Sequence, residues 1–267
     1  MPHARIPHLA RYLAPDGAHY GVREGDREEW RRLDAAPWLG GRATGTIDAV
    51  DAVRLLPPCE PTKIVCVGLN YEAHAAESLT VLKGMPPSDD PLLFLKPPSA
   101  LIASGEAIRY PAGVTRLDPE AELAVVIGRR ARAVAVHQAM EHVVGLTCFN
   151  DVSARNYQKT DGQWARAKGF DTFAPIGPWI ALGLDPHGLH VECRVNGERR
   201  QRGNTRDLRF GVPFLVSHVS HIMTLEPGDV IATGTPAGIA PVVVGDRIEV
   251  EVDGVGVLVN VVAGPEA

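Results

Sequence analysis

The stretch LDPEAELAVVIG, residues 117 to 128, carries two patterns at once. Leu123 to Ile127 form an apolar run suited to a buried strand. Just upstream, Asp118, Glu120 and Glu122 recur at every second residue. On a strand that spacing points all three carboxylates to one face, with Cα atoms roughly 6.6 Å apart between neighbours. Half-buried and unpaired, such acids repel, and at least one protonates. A divalent cation removes the conflict, and all-oxygen ligation suits Mg2+, Mn2+ or Ca2+ rather than zinc. The alternative is a solvated face of an edge strand, with Pro119 marking the edge.

Three further stretches bear on that choice. In CFNDVSARNYQ, Asp151 directly follows an apolar segment, where it suits either a third metal ligand or the N-cap of a helix through VSAR. Arg155 and Gln158 follow at helical spacing. In GQWARAKGFDTFAPIGP, Lys168 sits among Gly, Phe and Pro residues that predict a tight, ordered loop. There it would neutralise a bound carboxylate or a developing enolate, or else be an ordinary surface lysine. In GLNYEAHAAE, His74 and Glu77 are three apart and share a helical face. A carboxylate beside an imidazole makes a general-base pair, and the alternative is a plain surface helix. The segment that follows, from about Glu77 to Pro91, has the prolines and glycine of a lid loop. His137, His142, His187, His190, His218 and His221 have no completing acid or metal pattern and read as structural.

The chain around these stretches has 267 residues, 45% hydrophobic and 22% charged, with a formal net charge of -5. Those values suit one large globular domain, or one with a small appendage. No Lys/Arg block is present, which argues against nucleic acid or an anionic membrane surface as a partner. Cys59, Cys66, Cys148 and Cys193 are scattered without a C-x-x-C pair and read as reduced, buried thiols. The start lacks a signal-peptide core, and the apolar stretch GVGVLVNVVAG is far shorter than the ~20 residues of a membrane helix. A cytoplasmic protein is expected.

Residues 1–60 read as a small β-rich unit with a hairpin turn at Asp16-Gly17. Within it, DREEWRRL fits a short helix or a charged strand equally. The proline-rich RLLPPCEPTK then reads as a linker into a domain over 61–267. There, KIVCVG, ELAVVIG, VVGLTCFN and GDVIATG predict strands, and turns are expected at Asn196-Gly197 and Asp253-Gly254. AVHQAMEHV and PFLVSHVSHIMTL have helical spacing. Many strands with few short helices predict a β-dominated α+β fold, a mixed roll or sandwich.

Taken in order, KIVCVGLNYEAHAAE, PLLFLKPPSALI, DPEAELAVVIGRRAR, CFNDVSARNYQ, RAKGFDTFAPIGPW, VNGERRQRGNT and LEPGDVIATGTPAGI resemble the fumarylacetoacetate hydrolase family. The resemblance covers nearly all of residues 61 to 260. It implies a mixed β-roll of the fumarylacetoacetase C-terminal-domain type, a homodimer, and one divalent metal, Mg2+ with Mn2+ or Ca2+ as alternatives. Its ligand motif falls on Glu120, Glu122 and Asp151, with Asp118 supporting the ligands from behind. Arg155, Gln158, Lys168 and Thr235 match substrate-contacting positions, and His74 with Glu77 matches a water-activating dyad. The implied activity is hydrolysis of a C–C bond in an acylpyruvate-type (2,4-dioxo acid) substrate through a metal-stabilised enolate, releasing pyruvate or a related 2-oxo acid. The alternative is a decarboxylase or isomerase of 2-oxo or 2-hydroxy-dienoic acids from aromatic catabolism, or an oxaloacetate decarboxylase.

Overall fold

The computed structural model describes residues 6–25, 27–78 and 89–265, and the side chains of all of these except 76–78. The first sixty residues supply β1 (Pro7–Ala14), β2 (Gly17–Glu24), β3 (Glu29–Leu33), β4 (Ala43–Ala49) and β5 (Arg54–Leu55). The ambiguous DREEWRRL is therefore a strand, with Trp30 and Leu33 turned into the core. The Asp16-Gly17 turn closes the β1–β2 ladder, which runs from Pro7 opposite Glu24 to Ala14 opposite Gly17.

Next come β6 (Ile64–Gly68), α1 (Glu72–Ser78), β7 (Leu92–Lys96), β8 (Leu101–Ile102), β9 (Ala107–Arg109), β10 (Leu117–Asp118) and β11 (Ala121–Ile127). They are followed by β12 (Val143–Asn150), β13 (Ser153–Ala154), α2 (Arg155–Thr160), α3 (Ala165–Lys168) and β14 (Ala174–Leu182). The chain finishes with β15 (His190–Val195), β16 (Glu198–Asn204), α4 (Val212–Ile222), β17 (Val230–Ala232), β18 (Arg247–Val252) and β19 (Gly256–Ala263). The stretch AVHQAMEHV forms a 3-10 helix, Val136–His142, rather than an α-helix.

A 12-stranded sheet runs in the order β4-β3-β2-β1-β14-β12-β11-β17-β6-β7, with β5 on β1 and β8 on β14. A five-stranded sheet, β16-β15-β18-β19-β9, faces it, and β10 pairs with β13 apart from both. Strand β11 has every residue buried because alternate side chains enter two different cores. Leu123, Val125 and Ile127 meet Val191, Cys193, Ile248, Val250 and Leu258 of the smaller sheet. Ala124 and Val126 meet Leu9, Ile64, Cys66, Phe149 and Ile180 on the other face. This is the β-dominated roll expected from the sequence.

The first sixty residues do not form a separate sheet. Strand β1 pairs antiparallel with β14, His8 opposite Ala181 and Leu9 opposite Ile180. Arg23 lies between two rings, 4.7 Å from the centroid of Trp30 and 4.1 Å from that of Trp179 in β14. His8 stacks on the same Trp179 at 5.0 Å. In the expected linker, Cys59 is fully buried, so this segment is packed chain rather than a free tether.

Two expectations about residues 117–128 need correction. The three acids do not share one strand: β10 ends at Asp118, and β11 begins at Ala121. Pro119 and Glu120 lie in the break between two different sheets, which uncouples Asp118 from the other two. The solvated-edge reading also fails, because β11 is interior to the sheet, between β12 and β17.

Candidate metal centre and its cavity

The β11–β12 ladder brings the acids together. It places Ala121 opposite Asn150, and the backbone continues the pattern one step further, Asp151 N donating to Glu120 O at 2.9 Å. The Asn150 side chain fixes this end, since its Oδ1 accepts from Glu120 N at 3.0 Å. Glu120, Glu122 and Asp151 are all buried, and one carboxylate oxygen from each lies within 4.8 Å of the others. Three convergent hard oxygen donors in a buried site fit a divalent cation of the Mg2+, Mn2+ or Ca2+ kind.

Four cationic side chains surround the acids. Lys168 Nζ donates to Glu120 Oε2 at 2.6 Å and to Asp151 Oδ2 at 2.5 Å. Lys96 Nζ donates to Asp151 Oδ1 at 2.5 Å and to Val152 O at 3.1 Å. Arg155 donates to Glu120 Oε1 at 2.5 Å, to Gln158 Oε1 at 2.8 Å and to Asp118 Oδ2 at 2.9 Å. Arg116 binds both oxygens of Asp118 at 2.9 Å. Asp118 is thus a brace behind Arg155 rather than a member of the triad.

Charge sorts the three acids. Burial and the nearby charges of Asp151 and Glu120 push the Glu122 carboxyl well above the usual range. The backbone N–H of Gly234, which donates to Glu122 at 2.8 Å, does not offset them. Burial also opposes ionisation of Glu120, but Arg155, Lys168 and His74 outweigh it and hold that carboxyl well below the usual range. Burial lowers the Lys96 ammonium despite Asp151, whereas Lys168, facing both Asp151 and Glu120, is raised against the same penalty. A buried carboxyl that resists ionisation beside two other acids is the arrangement a cation relieves, so the donor set fits the group.

Most of these residues line a cavity that offers about 80 Å³ to the centres of water molecules. His74, Glu120, Glu122, Asp151, Arg155, Gln158, Lys168 and Thr235 all reach it. His74 is buried on α1 and turns Nε2 toward Glu120 Oε1, 3.9 Å away. The backbone of Glu77 lies on the same helix, but its side chain and residues 79–88, most of the lid expected from about Glu77 to Pro91, are outside the described residues. Asp151 is not a helix cap: α2 is entered from Ala154, with no side-chain cap bond. Lys168 ends the short helix α3 rather than a loop and is fully enclosed, so the surface-lysine reading is excluded. The Thr235 hydroxyl donates to Ala121 O and accepts from Gln201 Nε2, each at 2.8 Å, which ties the 233–238 loop to the start of β11.

Two glycines permit this closeness. A Cβ on Gly68 would lie 2.9 Å from the Trp164 ring, which forms the cavity wall with Phe94. Gly234 has φ +104, and a Cβ there would lie 2.8 Å from Asn70 Cβ.

Sequence reasoning missed Lys96, Arg116, Phe94 and Trp164. Lys96 had a signal, a lysine closing the apolar run PLLFL just before two prolines. The other three sit far from the triad in sequence or on irregular chain, with no periodicity to expose them.

Comparisons with known proteins identify the family. Residues 63–263 match the family described as Fumarylacetoacetate (FAA) hydrolase C-terminal, and residues 8–58 match Rv2993c-like, N-terminal. The chain belongs to the fumarylacetoacetate hydrolase family, a metal-dependent enzyme family. It is 41% identical over 264 residues to Protein Rv2993c of Mycobacterium tuberculosis, covering 94% of this chain and 96% of that one. The crystal structure of 2-hydroxyhepta-2,4-diene-1,7-dioate isomerase from Mycobacterium marinum superposes with TM-score 0.88 at 39% identity, covering 97% and 99% of the two chains. Maleylpyruvate hydrolase from Sphingobium sp. SYK-6, in complex with manganese (II) ion and pyruvate, superposes with TM-score 0.76 at 31% identity, covering 97% and 100%. Relatives with other names include a 4-hydroxyphenylacetate degradation bifunctional isomerase/decarboxylase of Salmonella dublin, 44% identical across 76% of this chain and 47% of its own. Oxaloacetate tautomerase FAHD2B of Bos taurus is 40% identical across 77% and 68%. The relatives therefore span hydrolase, isomerase, decarboxylase and tautomerase activities. No helix among the described residues is long and apolar enough to cross a membrane.

Proposed function

We propose that this chain is a divalent-metal-dependent hydrolase that cleaves an acylpyruvate-type (2,4-dioxo acid) substrate with water, giving pyruvate or a related 2-oxo acid and a second carboxylic acid. The observation that carries the reading is the position of His74, a buried imidazole turned toward the acidic triad inside the cavity. Glu120, Glu122 and Asp151 would hold the ion, with Mg2+ the first choice and Mn2+ or Ca2+ alternatives. Bound there, such an ion supplies Lewis-acid polarisation of a 2-oxo acid.

The chain's own residues do the rest. His74 takes a proton from water, with Glu77 its candidate orienting carboxylate. Lys168 brings positive charge to the oxygen on which negative charge develops when the C3–C4 bond breaks, an interaction worth roughly 3–4 kcal/mol in comparable settings. Arg155, Gln158 and Thr235 position the substrate, and Trp164 and Phe94 keep bulk water from one wall. The enzyme is proposed to act as a cytoplasmic homodimer, which light scattering of the purified protein tests.

A second reading, decarboxylation or isomerisation of 2-oxo or 2-hydroxy-dienoic acids, oxaloacetate included, is favoured by the names of the Salmonella and bovine relatives. A panel of acylpyruvates and oxaloacetate, assayed with Mg2+ for pyruvate and for CO2 and by ultraviolet absorbance for enol–keto exchange, separates the two. Pyruvate from acylpyruvates supports hydrolysis. CO2 release or enol–keto exchange without acylpyruvate cleavage transfers the assignment to the second reading.

A further inference from the structure

We infer that Gln201, reaching in from the smaller sheet, is a positioning residue for the metal centre: its buried amide fixes the peptide groups between Glu120 and Glu122 and the direction of the Thr235 hydroxyl. The inference rests on the proposed metal chemistry and names the part of the chain that sets the spacing of two of the ligands.

Three observations lead to it. The first is the place of Gln201. It lies on β16, within the stretch VNGERRQRGNT. Arg199, Arg200 and Arg202 beside it on that strand are exposed, yet Gln201 is 1% exposed. A buried amide is costly unless its hydrogen bonds are made. The backbone is pressed close on both sides of it. A Cβ on Gly203 would lie 2.6 Å from Pro236 Cβ, and one on Gly238 would lie 2.2 Å from Arg200 O. Only glycine at these two positions lets β16 lie against the 233–238 loop.

The second is what the amide meets. Gln201 Oε1 accepts from Ala121 N at 3.0 Å, and Nε2 donates to Pro236 O at 2.7 Å and to Thr235 Oγ1 at 2.8 Å. A backbone N–H only donates and a carbonyl oxygen only accepts, so the amide has a single workable orientation. Thr235 Oγ1 receives a hydrogen from Gln201, and its own hydrogen goes to Ala121 O, 2.8 Å away. The result is a closed ring through Gln201, Thr235 and both peptide groups of Ala121.

The third is what these bonds replace. Strand β17 ends at Ala232, opposite Ala124 of β11. Thr233 N extends the pattern by donating to Leu123 O at 3.0 Å. At Ala121 side chains take over, Gln201 on the N–H and Thr235 on the C=O. Ala121 separates Glu120 from Glu122, and Gly234 of the same loop donates to Glu122. Holding the Ala121 peptide groups fixes the backbone angles between the two glutamates. That sets the separation at which their carboxylates face an ion.

The test measures Mn2+ affinity by electron paramagnetic resonance in the wild type, Gln201→Met, Thr235→Val, Thr235→Ser and the double variant Gln201→Met with Thr235→Val. Methionine keeps the length of glutamine without its hydrogen bonds. Losing a group that orients metal ligands weakens binding roughly 10–100-fold. Gln201→Met is expected to weaken Mn2+ about tenfold or more, and Thr235→Val to weaken it more than Thr235→Ser, which keeps the hydroxyl. The double variant is expected to bind within about threefold of the weaker single variant, because either change breaks the same ring. Urea denaturation runs alongside. A purely structural role lowers stability and leaves Mn2+ affinity of the folded protein near that of wild type, and that result overturns the assignment. Losses that multiply in the double variant overturn it as well. If Gln201→Met does not fold, the two Thr235 variants read the ring from its other side, and equal affinity in both overturns it. Turnover of 2-oxo acids by the wild type reports separately on the proposed reaction. If turnover is absent while the variants still lose Mn2+ as expected, only the reaction fails. If the wild type binds no Mn2+, the metal centre and the Gln201 assignment fail together.

Discussion

Lys96 and Lys168 grip opposite oxygens of one buried carboxylate: each ammonium lies 2.5 Å from Asp151, one on Oδ1 and the other on Oδ2. The two lysines come from strand β7 and helix α3, so the contact joins distant parts of the chain at the candidate metal centre. Removing one partner of a buried ion pair costs about 3–5 kcal/mol. Lys96→Met is expected near the lower figure, about 3 kcal/mol, because Asp151 keeps Lys168. Urea denaturation measures it, and a loss below about 1 kcal/mol would mean that Lys96 contributes little to holding that charge.

Glu122 provides a pH signature. Its carboxyl is held well above the usual range by burial and by Asp151 and Glu120, so the neutral form persists in the metal-free fold. A divalent ion requires the carboxylate, so binding should expel a proton, and affinity should weaken as pH falls below the raised value. Calorimetry in two buffers of different ionisation enthalpy counts that proton. Heats identical in both buffers would show that Glu122 is already ionised.

His74→Gln separates chemistry from ion binding. Loss of a general base lowers kcat by roughly 10²–10⁴-fold. Mn2+ affinity, followed by electron paramagnetic resonance, should change only a few-fold, because the triad is intact. Hydrolysis within threefold of wild type would remove His74 from the mechanism.

Gly234→Ala tests the loop behind the triad. Its φ of +104 disfavours any side chain, and the new Cβ would meet Asn70 Cβ at 2.8 Å and Val67 O at 3.1 Å. Backbone strain of this kind costs about 1–3 kcal/mol before the clash is counted. A loss of at least about 2 kcal/mol is expected, with weaker ion binding because the N–H on Glu122 shifts. A variant as stable as wild type would show that the loop adapts.

Acid should loosen the N-terminal strands first. Arg32 bridges Asp16 and Asp48, and Tyr12 donates to Asp48 at 2.7 Å. The Arg32 guanidinium, foremost, draws Asp16 down to about 2 and Asp48 below its ordinary value. Depressed acid values stabilise the fold above the unfolded-state range near 4, and that contribution disappears as pH falls toward 2. Tryptophan fluorescence between pH 5 and 2 should show this loss in wild type and a shallower slope in Asp48→Asn. Equal slopes would place the acid-sensitive contact elsewhere.

Local chemistry made much of this structure legible. The turns at Asp16-Gly17, Asn196-Gly197 and Asp253-Gly254 all join paired strands, because turn preference acts over a few residues. The buried run Leu123–Ile127 is likewise a strand, and the candidate residues His74, Glu120, Glu122, Asp151, Arg155, Gln158, Lys168 and Thr235 line one cavity. What escaped depended on long-range pairing. Asp118 looked like a third member of a carboxylate row because Pro119 signals a strand edge but not that the chain changes sheets there. The partnership of Lys96 with Asp151 spans 55 residues and leaves no periodic trace. Arg116 reads as a surface residue until the cavity beside it is known.

The pairing of β1 with β14 makes the leading strands the selvedge of the main sheet. A fragment starting at Pro61 would uncover β14 around Ile180 and Ala181 and strip Arg23 and His8 from Trp179. An uncovered strand edge is a template for self-association. The sixty leading residues therefore hem a raw border of the main sheet, and cutting them away is expected to make the remaining enzyme stickier.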